Sequence, residues 1–211
     1  LVASGGKHEH TSHGHESVEV LQNLLDANDH EAGHNREHFE RHGVLAVNLM
    51  SSPGAGKTLL LEKTIERLGG SLNVAVIEGD LDTENDAERI RSKGVPAVQI
   101  STGTACHLDA HMVHSALHDL DLAGLDIVFI ENVGNLVCPA SFDLGQHANV
   151  ALLSVPEGDD KPAKYPVMFR TADLVMISKC DLLPILDAFD PETAKKYLQD
   201  ISRSAQVLTP Y

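Results

Sequence analysis

Along the chain, short apolar runs alternate with stretches in which apolar residues recur every three or four positions. Val44–Met50, Asn73–Glu78, Ala97–Ser101, Asp126–Glu131, Asn149–Val155, Leu174–Ser178 and Gln206–Leu208 are near-continuous apolar runs of strand length, the pattern of strands buried on both faces. Between them, Leu59–Leu68, a stretch ending near Lys93, His107–Leu120 and Glu192–Ile201 carry helical spacing. Upstream, Val18, Leu21, Leu24 and Leu25 follow Ser17 at that spacing, and the Ser17 hydroxyl can cap a helix start. Strands alternating with helices predict an α/β fold, a mainly parallel sheet covered by helices on both faces. Such sheets bind ligands at the carboxyl ends of their strands, so the turns that follow the apolar runs are where chemistry is expected.

The first of those turns is Ser51-Ser-Pro-Gly-Ala-Gly-Lys-Thr58. A strand, a glycine-bearing turn and Gly-Lys-Thr opening a helix form a phosphate loop. Backbone N–H groups around Gly54, Ala55 and Gly56 are expected to wrap the β-phosphate, Lys57 to reach the β/γ-oxygens, and Thr58 to hold Mg²⁺. Ser51 stands where the motif has its first glycine, which is tolerable if that position avoids positive φ. Carboxylates for Mg²⁺ and water are sought at neighbouring strand ends, where Asp80, Asp82 and Glu131 stand; Asp80 ranks first for Mg²⁺ or water positioning, and Glu131, with Gly134 three residues on, for sensing the γ-phosphate. Ser178-Lys-Cys-Asp181 follows a later strand and is similar to the Asn-Lys-x-Asp guanine-reading motif of GTPases. There, Asp181 can accept from guanine N1–H and N2–H₂ while the Lys179 stem lies on the ring, so GTP and GDP are the expected nucleotides. After it, Leu208–Tyr211 offers no Ser-Ala-Lys-like segment, so either the chain is cut short or base binding is weakened.

Composition narrows the class. The 211 residues carry 16 Lys+Arg against 31 Asp+Glu, a net charge of −15, which argues against broad adhesion to nucleic acid or anionic lipid. No apolar run is long enough to span a membrane and the N-terminal residues do not read as a signal peptide, so a cytoplasmic protein is expected. Leu1 opens the sequence in place of a methionine, as in a fragment or processed chain. Of 13 histidines, His8, His10, His13 and His15 fall in a polar stretch, residues 1–16, that should be a disordered tail; a purification tag is a competing source for it. Residues 17–211 read as a single P-loop GTPase domain with an N-terminal helix. His30, His34, His38 and His42 follow at four-residue steps, so adjacent pairs could chelate a divalent metal or simply form a solvated face.

Three cysteines are too few for a disulfide framework. Cys106-His107 and Cys138 offer thiolate and imidazole ligands that suit Zn²⁺ or Ni²⁺, and two unconnected thiols are the alternative. Two thiols and one imidazole leave a tetrahedral site open, which a symmetric dimer could complete. The segments Asn48–Thr58, Glu78-Gly-Asp-Leu81, Cys106-His107-Leu108, Ile130-Glu-Asn-Val-Gly-Asn-Leu-Val-Cys-Pro139, Phe142-Asp-Leu-Gly145 and Glu157-Gly-Asp-Asp-Lys-Pro162 together resemble the HypB family of nickel-hydrogenase maturation GTPases over residues 17–208. The resemblance implies a P-loop NTPase of the SIMIBI class, the signal-recognition and MinD-like group, that hydrolyses GTP and dimerises with it. It also implies Cys106, His107 and Cys138 as ligands of nickel or zinc at the dimer interface, with His111 an outer partner. It further implies a cytoplasmic metallochaperone that passes nickel to a HypA-type chaperone or the hydrogenase large-subunit precursor. A urease-type nickel-insertion GTPase would carry a Cys-Pro-His arrangement instead. A non-catalytic metal store using His8 to His42 is the rival from another class.

Overall fold

The computed structural model describes residues 12–80, 85–202 and 205–209. Seven strands, β1 (Leu45–Ser51), β2 (Val74–Asp80), β3 (Ala97–Ser101), β4 (Ile127–Glu131), β5 (Ala148–Ser154), β6 (Leu174–Ser178) and β7 (Gln206–Leu208), form one sheet in the order β3-β2-β4-β1-β5-β6-β7. Every neighbouring pair is parallel. The sequence order reverses around β1, which lies between β4 and β5, so a crevice opens at the carboxyl ends of β1 and β4.

Helices α1 (Ser12–His42), α2 (Lys57–Leu68), α3 (Asn85–Arg91), α4 (Ala110–Leu117), α5 (Lys161–Lys164), α6 (Pro166–Thr171) and α7 (Pro191–Ile201) complete the fold. Alternate strand residues feed opposite faces. Ala75, Ile77, Val128 and Ile130 pack with Phe39 of α1 and Val113, Ala116 and Leu117 of α4. On the same face, Ala151, Leu153, Val175 and Ile177 meet Met168 and Phe169 of α6 and Ala194 and Leu198 of α7. Val74, Val76, Leu49 and Leu152 point the other way, onto Leu61 and Ile65 of α2 and Ile90 of α3. The α/β sheet with helices on both faces is therefore as the apolar runs predict.

Two helices depart from the sequence expectation. The first helix begins at Ser12, so Ser17 lies inside it and residues 12–16 are helical; the rest of the expected tail, including His8 and His10, lies outside the described residues. No proline interrupts residues 12–17, and once a helix is nucleated it propagates through ordinary polar residues. The helix expected over His107–Leu120 spans only Ala110–Leu117, because the Asp109 carboxylate caps it by accepting from the Met112 N–H at 2.8 Å. No described helix is long and apolar enough to cross a membrane.

Candidate nucleotide and metal sites

The turn between β1 and α2 takes the shape its glycines allow. Gly54 (φ 71°) and Gly56 (φ 101°) occupy left-handed backbone, whereas Ser51 ends β1 and does not, so the serine in the motif's first position carries no strain. Pro53, Gly54, Gly56, Lys57, Thr58 and the ends of β2 and β4 line a cavity of about 370 Å³. Lys57 is 7% exposed; its Nζ donates to Ser51 Oγ at 3.3 Å and lies 3.9 Å from Glu131 Oε1. Thr58 Oγ1 donates to the same Glu131 oxygen at 3.0 Å. Ala55 is buried beneath the loop, and its carbonyl accepts from Ser178 Oγ at 2.8 Å.

Strand register supplies the carboxylates. Asp80 proves to be the last residue of β2 instead of lying beyond it, and it lines the cavity; Asp82 lies outside the described residues. Glu131 ends β4 and is the register partner of Glu78, a residue that the sequence pattern hides as the end of an apolar run. Glu78 and Glu131 are 2% and 4% exposed, and the Oε2 of each lacks a hydrogen-bond partner among the described residues. Burial first, and the facing Glu131 carboxyl next, push Glu78 up to about 10. Burial raises Glu131 as well, against the pull of Lys57. The pair therefore retains a proton at neutral pH. Hard oxygen donors from Thr58, Asp80, Glu78 and Glu131 gathered at one cavity fit Mg²⁺, whose charge would replace that proton.

This carries a pH prediction. Glu78 binds its proton more tightly folded than at its ordinary 4.5, so stability should fall as pH rises between that value and about 10. The slope is at most about 1.4 kcal/mol per pH unit, roughly 2–4 °C of melting temperature per kcal/mol. Thermal melts at several pH values check it: Glu78→Gln should flatten the slope, and Mg²⁺ with nucleotide should stabilise more at high pH than at low.

The thiols converge. Cys106 Sγ and Cys138 Sγ are 2.8 Å apart, and His107 Nδ1 is 3.8 Å from Cys106 Sγ. Among the described residues these three are the one group of three or more His, Cys, Asp or Glu ligands whose atoms all lie within 4.8 Å of one another. All three are half-buried, and His107 stacks on Phe142 at 4.0 Å. The reading of two unconnected thiols is thus excluded. Burial lowers the His107 pKa, favouring the neutral imidazole that binds metal. Cys106 does not sit on a helix N-terminus, since α4 starts at Ala110, and the Cys138 thiol is raised, mainly by its hydrogen bond with Cys106. His111 is exposed on α4 outside this set.

Two asparagines tie these ligands to β1 and the start of the phosphate loop. Asn132, fully buried after β4, donates its N–H to Leu49 O (3.0 Å) while its Oδ1 accepts from Leu108 N (3.1 Å), the residue after His107. Asn135 donates its N–H to Ser51 O (2.8 Å), and its Oδ1 accepts from Cys138 N (3.2 Å). Gly134 between them lies so close to the loop that a Cβ there would come within 2.8 Å of Pro53 Cα.

The CobW/HypB/UreG nucleotide-binding domain matches residues 45–209. A hydrogenase maturation factor HypB from Azotobacter chroococcum is 55% identical over 193 residues, which cover 90% of this chain and 62% of that protein. The crystal structure of HypB from Helicobacter pylori in complex with nickel superposes with a TM-score of 0.84 at 45% identity, covering 87% of this chain and 86% of that one. The chain belongs to the HypB family. It spans about three fifths of the length of curated relatives such as the Azotobacter protein. The GDP complex of the signal recognition particle 54 kDa protein from Aeropyrum pernix, 12% identical with a TM-score of 0.57 over 80% of this chain and 42% of that one, shares the fold alone. The HypB-family chain is thus a P-loop, SIMIBI-type α/β protein.

A second recess in this HypB-family chain, about 250 Å³, opens beside the phosphate cavity between Ala55, Gly56, Leu59, Leu60, Lys179 and Asp181. Lys179, at φ 58°, is the one non-glycine in left-handed backbone among the described residues. Ser178 stands where the Asn-Lys-x-Asp motif has asparagine, and its hydroxyl, by donating to Ala55 O, ties this loop to the phosphate loop. Sequence reasoning also passed over Arg89, which lines the phosphate cavity but is bound to Glu62 and Asp86, each at 2.8 Å.

Proposed function

We propose that the chain is a GTPase that binds nickel at Cys106, His107 and Cys138 and delivers it during hydrogenase maturation, with nucleotide state and metal affinity coupled. The observation that carries this reading is the pair of asparagine links, which join the backbone on both sides of Gly134, just after Glu131, to the turns that carry Cys106–His107 and Cys138. A change at Glu131 or Gly134 on loss of the γ-phosphate would displace Asn132 and Asn135, and with them Leu108 and Cys138, altering the spacing of the ligands.

In this reading the loop N–H groups of Gly54, Ala55 and Gly56 bind the phosphates, and Lys57 neutralises charge on the β/γ-oxygens. Thr58 and Asp80 would hold Mg²⁺, which supplies further charge stabilisation, while Glu131 senses the γ-phosphate. Asp181 selects guanine and Lys179 covers its ring. Nickel is the cargo, and its presence in the Helicobacter pylori relative supports this assignment; zinc is the competing ion for the same soft donors. Three ligands from one chain leave a coordination position for a second copy, so GTP-dependent dimerisation would complete the site, and hydrolysis would release nickel to a HypA-type chaperone or the hydrogenase large-subunit precursor in the cytoplasm. Turnover alone should be slow, since Arg89 is engaged in ion pairs and supplies no free arginine finger.

The test is phosphate release with GTP beside ATP, read with sedimentation in GDP and in a GTP analogue. Release above background with GTP only, and a dimer in the analogue, is expected; release with neither nucleotide would overturn the reading. Lys179→Gly should relieve left-handed backbone and leave stability unchanged or up to about 1 kcal/mol higher. It should nonetheless weaken GTP binding several-fold, as denaturant melts and calorimetry would show.

A further inference from the structure

One face of α1 looks at α4, and its contacts fix the alignment. Asn28 Oδ1 accepts from Ala110 N (2.9 Å), and Asn35 Nδ2 donates to Ala110 O (2.8 Å) and Leu144 O (3.2 Å). Residues 28, 31, 35, 38 and 42 share this face at helical spacing. The two helices therefore run in the same direction. Their continuation sets His38 and His42 beside His114 and His118, two i, i+4 imidazole pairs. The ring centroids within each pair are 4.9 Å and 5.0 Å apart.

Hydrogen bonding assigns the tautomers. The Asn35 amide gives its nitrogen to two carbonyls, so its Oδ1 is an acceptor, and His114 Nδ1 at 3.0 Å must carry the proton. Glu31 Oε1, 3.4 Å from the same nitrogen, reinforces this. His42 Nδ1 lies 2.9 Å from His38 O, an acceptor only, so it too is the donor. With Nδ1 as the donor, the neutral form of each ring offers its lone pair on Nε2, the arrangement in which an oxygen partner on Nδ1 orients a metal-binding imidazole. We infer that His38, His42, His114 and His118 form a second divalent transition-metal site, for Zn²⁺ or Ni²⁺, that clamps α1 to α4 and is separate from the Cys106–His107–Cys138 centre.

His38 is held below its usual pKa, by burial first and by His42 next, so it is in the neutral ligand form at neutral pH. His42 and His118 are exposed, which leaves room beside them for an ion shared with His38 and His114. Arg41 is the opposing charge nearby and Glu31 the favourable one. His30 and His34, though also i, i+4 and 4.5 Å apart, fall off the α4-facing stripe.

The test uses the full chain with Cys106→Ser and Cys138→Ser, which silence the thiolate centre, and with His8, His10, His13 and His15 each changed to Gln. Zn²⁺ competition titration at neutral pH should show about one tight ion per chain. Adding His38→Gln with His114→Gln should weaken it by at least about 10-fold, since losing even an outer partner costs that much. His30→Gln with His34→Gln should leave it unchanged. In ¹⁵N imidazole spectra of the folded parent, Zn²⁺ should move Nε2 of His114 and not Nδ1. No bound ion in the parent, equal loss from the His30/His34 pair, or a shift at Nδ1 would overturn the site.

Discussion

Replacing Lys57 with alanine is expected to lower GTP turnover by about 10²–10³-fold, the usual cost of removing one preorganised charge from a transition state. Lys57 is 7% exposed and its ammonium is held by Ser51 Oγ and Glu131, so it is fixed before substrate arrives. Arg89, the other cation on the cavity wall among the described residues, is committed to Glu62 and Asp86 and does not substitute. The same change leaves the Glu78–Glu131 pair without its cation, so each carboxyl holds its proton more tightly. Melting should therefore fall further at alkaline pH than at acid pH. Turnover within a few-fold of the parent would remove Lys57 from the chemistry.

Cys106→Ala with Cys138→Ala should remove nickel from the thiolate centre, weakening binding there by at least about 100-fold, since two direct ligands are lost where one outer partner already costs about 10–100-fold. His107 alone would remain, a single imidazole stacked on Phe142. Nickel titrations followed by thiolate-to-metal absorption check this without interference from surface histidines, because imidazoles give no such band. Unchanged absorption would dissociate the metal from these thiols. Asn135→Ala is the informative contrast: the ligands stay, but the bond from the Cys138 N–H to Asn135 Oδ1 is gone. Metal binding should persist while its response to nucleotide weakens.

The strands were legible because burial on both faces of a parallel sheet demands unbroken apolar runs, and each run became a strand within a residue or two of its expected ends. The phosphate loop was legible because its glycines, lysine and threonine act through adjacent backbone. Glu78 was not, since its role depends on register with Glu131, and register between β2 and β4 is a matter of tertiary pairing. Spacing alone left Cys106 and Cys138 unpaired; only the return of the chain after β4 brings the sulfurs together. The short helices α5 and α6 passed unseen because four and six residues hold too few turns to show a period. Likewise the four-residue histidine ladder gave no hint of which rungs meet α4, which depends on Asn28 and Asn35 docking at Ala110.

The claim that most needs testing is that the nucleotide site and the thiolate centre exchange free energy through Asn132 and Asn135. Calorimetric nickel titration of the protein in GDP and in a non-hydrolysable GTP analogue measures it directly. A difference in affinity of about 5–150-fold between the two states, with the reciprocal effect of nickel on nucleotide affinity, is predicted. Equal nickel affinity in both states would contradict it.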